Sequence, residues 1–329
     1  MDAEVTMQKV ILDCDPGHDD AIAIMLAAGN PAIELLGITT VAGNQTLEKV
    51  TRNALSVCAA AGIRVPVAKG ADRPLVAPQM VAEDIHGDTG LDGPVLPEPQ
   101  FALDPRHAVD FIIDTVMAHE PNTVNLVPVG PLTNIALAMR KEPRIVERVR
   151  SVVLMGGAHT RGNVTPHAEF NIAVDPEAAD VVFRADWDVT MVGLDLTHQA
   201  LATPELQDRV RAIGGPVSEF VLGVWGFVGD AYRRQYEFDS PPVHDACCVA
   251  ALIDPAVFTT AKADVRVELH GEWTKGATVV NFQDVPGMHH SNGSAERQTD
   301  FRANVALTLD WDRFADQIVD AVARLTAGL

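Results

Sequence analysis

The chain has 329 residues, 47% of them hydrophobic and 21% charged, which is enough to bury a large core. Its 25 basic and 45 acidic residues leave a formal net charge of -20. That balance argues against a nucleic-acid or anionic-membrane partner, because both need a basic surface. The four cysteines, Cys14, Cys58, Cys247 and Cys248, show no C-x-x-C spacing and read as buried free thiols of a reducing compartment. The acidic opening Met1-Asp2-Ala3-Glu4 does not read as a secretory signal. The early apolar stretch 21–28 is too short to span a bilayer. A cytoplasmic location is the expectation.

Apolar runs then alternate with amphipathic ones. Residues 10–13 read as a buried strand, and 18–29 as a helix closed by Gly29-Asn30-Pro31. A strand over 33–41 ends at Gly43-Asn44, a helix covers 47–61, and a short strand covers 65–68. Residues 70–104 are rich in Pro, Gly and Asp and lack periodicity. They are too many for a connector, so a substrate-covering loop is expected, with a flap at 79–94. Asp104-Pro105 is expected to cap a helix reaching about His119. A strand over 123–129, a helix over 132–140 and a strand over 152–155, ending in Gly156-Gly157, follow. Asp175-Pro176-Glu177 opens another helix, and 189–192 is the next strand. Residues 216–236 read as a longer, aromatic-bearing helix, 265–269 and 277–282 as a late hairpin, and 311–325 as a closing helix. The series predicts a single α/β domain with a mainly parallel central sheet flanked by helices.

The most informative segment is Asp13-Cys14-Asp15-Pro16-Gly17-His18-Asp19-Asp20. Four carboxylates so close together cannot all ionise cheaply without a cation. Asp13 and Asp15 lie two apart on a strand end and so point to one side; Pro16-Gly17 turns the chain, and Asp19 and Asp20 open the next helix. A helix dipole accounts for two acids at a helix start, but not for four. An all-oxygen cluster suits calcium or magnesium rather than zinc. Other polar residues fall at further strand ends: Asn44; Thr133-Asn134 after Val129; Asn163, Glu169 and Asn171 after Gly156-Gly157; and His244-Asp245. In a parallel sheet these ends share one edge and can converge on one pocket.

The segment from Asp13 to Asp20 resembles the D-x-D-x-x-x-D-D fingerprint of the nucleoside hydrolases, in particular the inosine-uridine preferring type. Further similar segments run through the chain: Gly37-Ile38-Thr39-Thr40-Val41-Ala42-Gly43-Asn44, Ile85-His86-Gly87, Val153-Leu154-Met155-Gly156-Gly157, Ala168-Glu169-Phe170-Asn171-Ile172, Gly193-Leu194-Asp195-Leu196-Thr197-His198 and Val243-His244-Asp245. The resemblance implies a Rossmann-like fold and hydrolysis of the N-glycosidic bond of purine and pyrimidine ribonucleosides to ribose and free base, in nucleoside salvage. It implies a calcium ion held by Asp15, Asp20, Asp245 and the backbone carbonyl of Val129, with a calcium-bound water activated by Asp15 as general base. Asp19, Asn44, Asn163, Glu169 and Asn171 resemble the residues that hold the sugar, with Phe170 beside it. His244 resembles the acid for the leaving base, His86 a base-side residue on the flap, and Tyr232 an aromatic of the base pocket on a mobile helix at 217–236. Some relatives carry a second tyrosine where this chain has Val228. A homodimer or homotetramer is also implied. Asp13 has no assigned role beyond support of its neighbours. His18 reads as structural, and His289 and His290 as solvated loop residues. The residues alone leave two other readings open: a magnesium-dependent phosphohydrolase with Asp13 as nucleophile, and a non-catalytic ribose or nucleoside binding protein.

Overall fold

In the computed structural model, which describes residues 7–236, 238–283 and 302–329, alternate side chains of the first strand, β1 (Gln8–Cys14), feed different cores. Val10, Leu12 and Cys14 pack into one apolar cluster and Ile11 into another. A strand covered on both faces reads as an unbroken apolar run, as this one does. The chain continues through α1 (His18–Gly29), β2 (Ile33–Thr40), α2 (Leu47–Ala60), β3 (Val67–Lys69), α3 (Glu83–His86), α4 (Ala108–Ala118), β4 (Val124–Pro128) and α5 (Thr133–Lys141). Then come α6 (Ile145–Arg148), β5 (Val149–Met155), α7 (Phe170–Val174), α8 (Pro176–Phe183), β6 (Val189–Val192), α9 (Leu194–Thr197), α10 (Pro204–Ile213) and α11 (Gly215–Gln235). Last are α12 (Ala246–Ile253), β7 (Phe258–Val267), β8 (Thr278–Asn281), β9 (Ala303–Leu309) and α13 (Trp311–Gly328).

The strands form one sheet in the order β3-β2-β1-β4-β5-β6-β9-β7-β8. β1 to β6 are parallel, β9 runs parallel to β6, and β7 and β8 close the edge in antiparallel fashion. The helices lie on both faces: α1, α2, α12 and α13 contribute to one core and α4, α5 and α8 to the other. The fold is thus the expected single α/β domain with a mainly parallel sheet. Strand order reverses between β1 and β4, so the crevice beyond their carboxyl ends is where such sheets bind ligands.

Several expectations need correction. Helix α4 starts at Ala108, with His107 as its cap, rather than at Asp104-Pro105. Asp104 instead donates its N–H to the carbonyl of Val67 and pairs with Arg106, extending the sheet edge where a helix start was expected. The late hairpin exists, but β7 begins at Phe258 because its first half pairs with β9. His289 and His290 lie outside the described residues. The four cysteines are buried and free. Among the described residues, no helix is long and apolar enough to cross a membrane.

Candidate active site

The turn after β1 is closed by a carboxylate folding back on it. Asp20 Oδ2 accepts from the Gly17 N–H at 2.9 Å and Oδ1 from the Asp15 N–H at 3.0 Å, the reciprocal half of a capping box at the start of α1. Asp15 Oδ2 accepts from the Asn44 N–H at 2.6 Å, and Oδ1 is buried with no hydrogen-bond partner. Two glycines make room for this side chain: a Cβ on Gly43 would come to 2.1 Å from Oδ2, and one on Gly130 to 2.5 Å from Oδ1. Asp20 lies within hydrogen-bonding reach of both Asp15 and Asp245, and the carboxylates of Asp19, Asp20 and Asp245 can meet around one ion. Burial first, and repulsion among neighbours second, push Asp15 and Asp245 well up and Asp19 up to about 8. Burial also raises Asp20, against the pull of its backbone donors.

Asp13 stands apart from this group. Its Oδ1 accepts from Thr39 Oγ1 at 2.6 Å and Asn134 Nδ2 at 2.8 Å, while Oδ2 is buried without a partner. Burial lifts it to about 7. Asn134 also donates to the Thr40 carbonyl and accepts from the Ala71 N–H, so Asp13 ties the ends of β1 and β2 to α5. Asp13 is fully buried outside the cavity and is tied to Thr39 and Asn134 rather than to the carboxylates around Asp20, which argues against it as the nucleophile of a phosphohydrolase.

Above the carboxylates lies a cavity of about 300 Å³. Asp19, Asn44, Val129, Asn163, Glu169, Phe170, Asn171 and Asp245 line it on one side of the sheet edge, and His86, Tyr232 and His244 also border it. Asp15 and Asp20 are buried beneath and do not line it. Asn44 uses its side-chain amide on the Asp15 carbonyl and on Asp20 Oδ2, both at 3.2 Å. Glu169 caps α7: Oε1 accepts from the Asn171 N–H and Oε2 from the Gly157 N–H, each at 2.9 Å. Burial raises its carboxyl to about 7. Asn171 Nδ2 donates to the Val129 carbonyl at 2.9 Å. That carbonyl keeps a second lone pair for another partner. Asn163 Oδ1 accepts from the Phe170 N–H at 2.9 Å, fixing the loop before α7.

His244 is held at both nitrogens. Thr197 Oγ1 lies 2.7 Å from Nδ1 and the Tyr232 hydroxyl 2.8 Å from Nε2. Burial, helped by His198, lowers the ring to about 3, so it is neutral at pH 7. The Tyr232 phenol is pushed well up by burial and by nearby carboxylates and keeps its proton. Met80, Val81, Ala82 and His86 bring the 79–94 segment over the cavity, and α11 adds Trp225, Val228, Tyr232 and Tyr236. The two elements touch where Gln235 Nε2 donates to the Asp84 carbonyl at 3.0 Å.

The fit to a hard cation rests on the buried, unpartnered Asp15 Oδ1, on the mutual contact of three further carboxylates, and on an all-oxygen donor set. Thr39, Asn134 and Thr197 were not singled out for these contacts by sequence, although Thr39 and Thr197 fall inside the similar segments named above. His18, read as structural, lines the cavity as well as being buried.

Comparison with known proteins agrees with this geometry. Residues 10–316 match the family model for inosine-uridine preferring nucleoside hydrolase. The chain is 53% identical over 321 residues to the inosine-uridine preferring nucleoside hydrolase of Leishmania major, covering 97% of this chain and 98% of that one. It is 46% identical over 304 residues to the pyrimidine-specific ribonucleoside hydrolase RihB of Escherichia coli K12, covering 92% and 94% of the two chains. Among solved structures, the purine-preferring ribonucleoside hydrolase from Gardnerella vaginalis superposes with a TM-score of 0.88 at 34% identity, over 98% of this chain and 100% of that one. A matching fold and similarity along nearly the full length lead to one conclusion: the chain belongs to the inosine-uridine preferring nucleoside hydrolase family.

Proposed function

We propose that this nucleoside hydrolase cleaves the N-glycosidic bond of purine and pyrimidine ribonucleosides to ribose and free base, in nucleoside salvage, with calcium as its metal. The observation that carries the reading is the meeting of Asp19, Asp20 and Asp245 at a cavity that His244 and Tyr232 also border. Asp15, Asp20, Asp245 and the Val129 carbonyl would hold the ion, with Asp19 next to them. When bound, calcium would supply the positive charge that draws in the ribose diol and makes a water molecule more acidic.

Asp15 takes the proton of the attacking water on Oδ1, the oxygen left without a protein partner. Asp19, Asn44, Asn163, Glu169 and Asn171 hold the sugar hydroxyls. Bonds there that tighten as the ring flattens toward an oxocarbenium-like state convert sugar binding into rate. As the C1′–N bond breaks, its electron pair goes to the base, which needs a proton. His244 and Tyr232 form a chain of one N–H and one O–H for delivering it, since a neutral ring can pass a proton on as it receives another. Phe170 packs beside the sugar and His86 meets the base. The 79–94 flap and residues 217–236 move to admit substrate, a role supported by their place over the cavity. Relatives named for pyrimidine and for purine preference both resemble the chain, which supports a sugar-directed site with an adaptable base pocket. Family resemblance supports a homodimer or homotetramer in the cytoplasm.

The test is release of reducing sugar from inosine and uridine by the calcium-loaded protein. Free base and ribose formed in a metal-dependent way are expected. Nucleoside binding without turnover would leave only the binding-protein reading.

A further inference from the structure

Asn53 lies in the middle of α2, is buried, and does not line the cavity. Its amide nitrogen donates twice: to the Pro16 carbonyl at 3.0 Å and to the Thr89 carbonyl at 2.9 Å. Carbonyls only accept, so the orientation of the amide is fixed and both of its hydrogens are used. Pro16 belongs to the turn between Asp15 and Asp19, and Thr89 belongs to the flap. One side chain from a third element therefore spans the two. Turn and flap also meet directly: a Cβ on Gly17 would come to 2.6 Å from the ring of His86. Beside the amide, Gly90 has a φ of +81°, and a Cβ there would lie 3.2 Å from Asn53 Nδ2 and 3.0 Å from Gln45. The seating is close at both ends. The turn has other supports: Asp20 accepts from the Asp15 and Gly17 N–H groups, and Asn44 donates to the Asp15 carbonyl and to Asp20. The flap around Thr89 has weaker ones. Gln45 Nε2 donates to the Asp88 carbonyl at 3.1 Å. Lys49 pairs with the exposed Asp88 carboxylate at 2.8 Å, where an ion pair is worth little. Farther along, His18 Nε2 meets the Asp92 carbonyl.

We propose that Asn53 is a positioning residue: by bonding the Pro16 and Thr89 carbonyls at once, it sets where the closed flap, and with it His86, stands relative to the turn bearing Asp15 and Asp19. It touches no substrate and acts through the flap. Loss of the amide would leave the buried Pro16 carbonyl unpaired and hand the Thr89 carbonyl to water. The turn would keep the bonds of Asp20 and Asn44, so the flap would give way first. Effects should therefore fall on substrates that reach the flap with a base, and spare ligands that end at the sugar. The base-side effect rests on the nucleoside-cleaving reading above; the docking of the flap does not.

The experiment compares the calcium-loaded protein with Asn53→Leu, which nearly keeps the volume and removes both donors. In the first arm, amide hydrogen exchange is followed by mass spectrometry with no substrate present. Exchange over residues 86–92 should be about tenfold faster in the variant, the scale of one hydrogen bond, and unchanged over β1 and β2. No change at 86–92 would overturn the proposal. In the second arm, kcat/KM for inosine should fall about tenfold, while ribose, as a competitive inhibitor, should keep its inhibition constant within about twofold. Ribose weakened as much as inosine would mark Asn53 as support for the turn alone and sink the positioning role. An undiminished inosine rate would sink it too. Should Asn53→Leu not fold, Asn53→Ser, with one donor where the amide has two, goes through both arms under the same criteria. A protein that cleaves no nucleoside, yet shows the faster flap exchange in the variant, would fault the substrate reading and uphold the docking.

Discussion

The two sides of the cavity are built on different principles. The carboxylate side hangs on the ends of β1, β2, β4 and β5, and many of its polar contacts end on backbone: Asp20 on N–H groups of the turn, Asp15 on that of Asn44, Glu169 at the start of α7, Asn171 on Val129. The side bordered by the 79–94 segment and α11 is joined mostly through side chains, such as Tyr232 to His244, His18 to the Asp92 carbonyl and Gln235 to Asp84. A sheet edge fixes atoms to within a fraction of an ångström, as bond-making chemistry at the sugar requires. Helix and loop contacts fix a shape that side-chain exchange can alter. Under the roles proposed above, reaction type is stored on one side and substrate range on the other.

Experiments that break the comparison should begin on the rigid side. Removing the cation with a chelator should abolish turnover, and should also reverse the usual effect of pH on stability. Asp13 and Glu169 near 7 and Asp19 near 8 all lie above their unfolded values near 4. The metal-free fold therefore holds protons that the unfolded chain releases, and its stability is present below about pH 4 and lost as pH rises through about 8. Thermal midpoints measured from pH 5 to 8 should fall without calcium and fall less with it; a rise without calcium would refute the assignment of buried, proton-holding carboxylates. Next in size, Asp15→Asn should lower kcat by about 10³–10⁴-fold while a nucleoside still binds, as titration calorimetry would register. Full activity in that variant would remove Asp15 from the role of base.

On the adaptable side the effects should be smaller and depend on substrate. His244→Ala is expected to reduce inosine turnover about 10²–10³-fold, and to leave nearly untouched a riboside whose leaving group needs no proton. Equal losses on both would show that the ring only holds the pocket together. Tyr232→Phe should cost about tenfold on inosine, the scale of one hydrogen bond to the relay. Val228→Tyr should change only the ratio of purine to pyrimidine turnover, by about three- to tenfold. A change in ribose dependence with that variant would mean that the two sides are not separable.

The same division governs how much could be read from the amino acids alone. Strand ends were legible because apolar runs stop at Asp13, Asn44, Val129 and Gly156-Gly157, and parallel order then places those stops on one edge. The cavity-lining residues among them followed. What stayed hidden were contacts between residues far apart in sequence: Thr39 and Asn134 on Asp13, Thr197 on His244, and His18 against His86. Nothing periodic marks such partners, because their placement depends on tertiary packing. The missed β9 and the first half of β7 have a related cause. Their outer faces are polar and their pairing is mutual, so each makes sense only beside the other. Helix α4 was misplaced because Asp-Pro is a strong local start signal, overridden here by a bridge to β3.

The long helix α11 has a consequence for how such a protein can change over evolutionary time. Val217, Val221 and Val224 pack into the main core, Trp225 belongs both to that core and to the cavity wall, and Val228, Tyr232 and Tyr236 border the cavity. One element therefore carries a packed anchor along one flank and an editable alphabet along the other. New base preferences can arise by exchanging letters on the second flank, with no need to relearn how to open a glycosidic bond. Laboratory selection for altered nucleosides has its shortest route there.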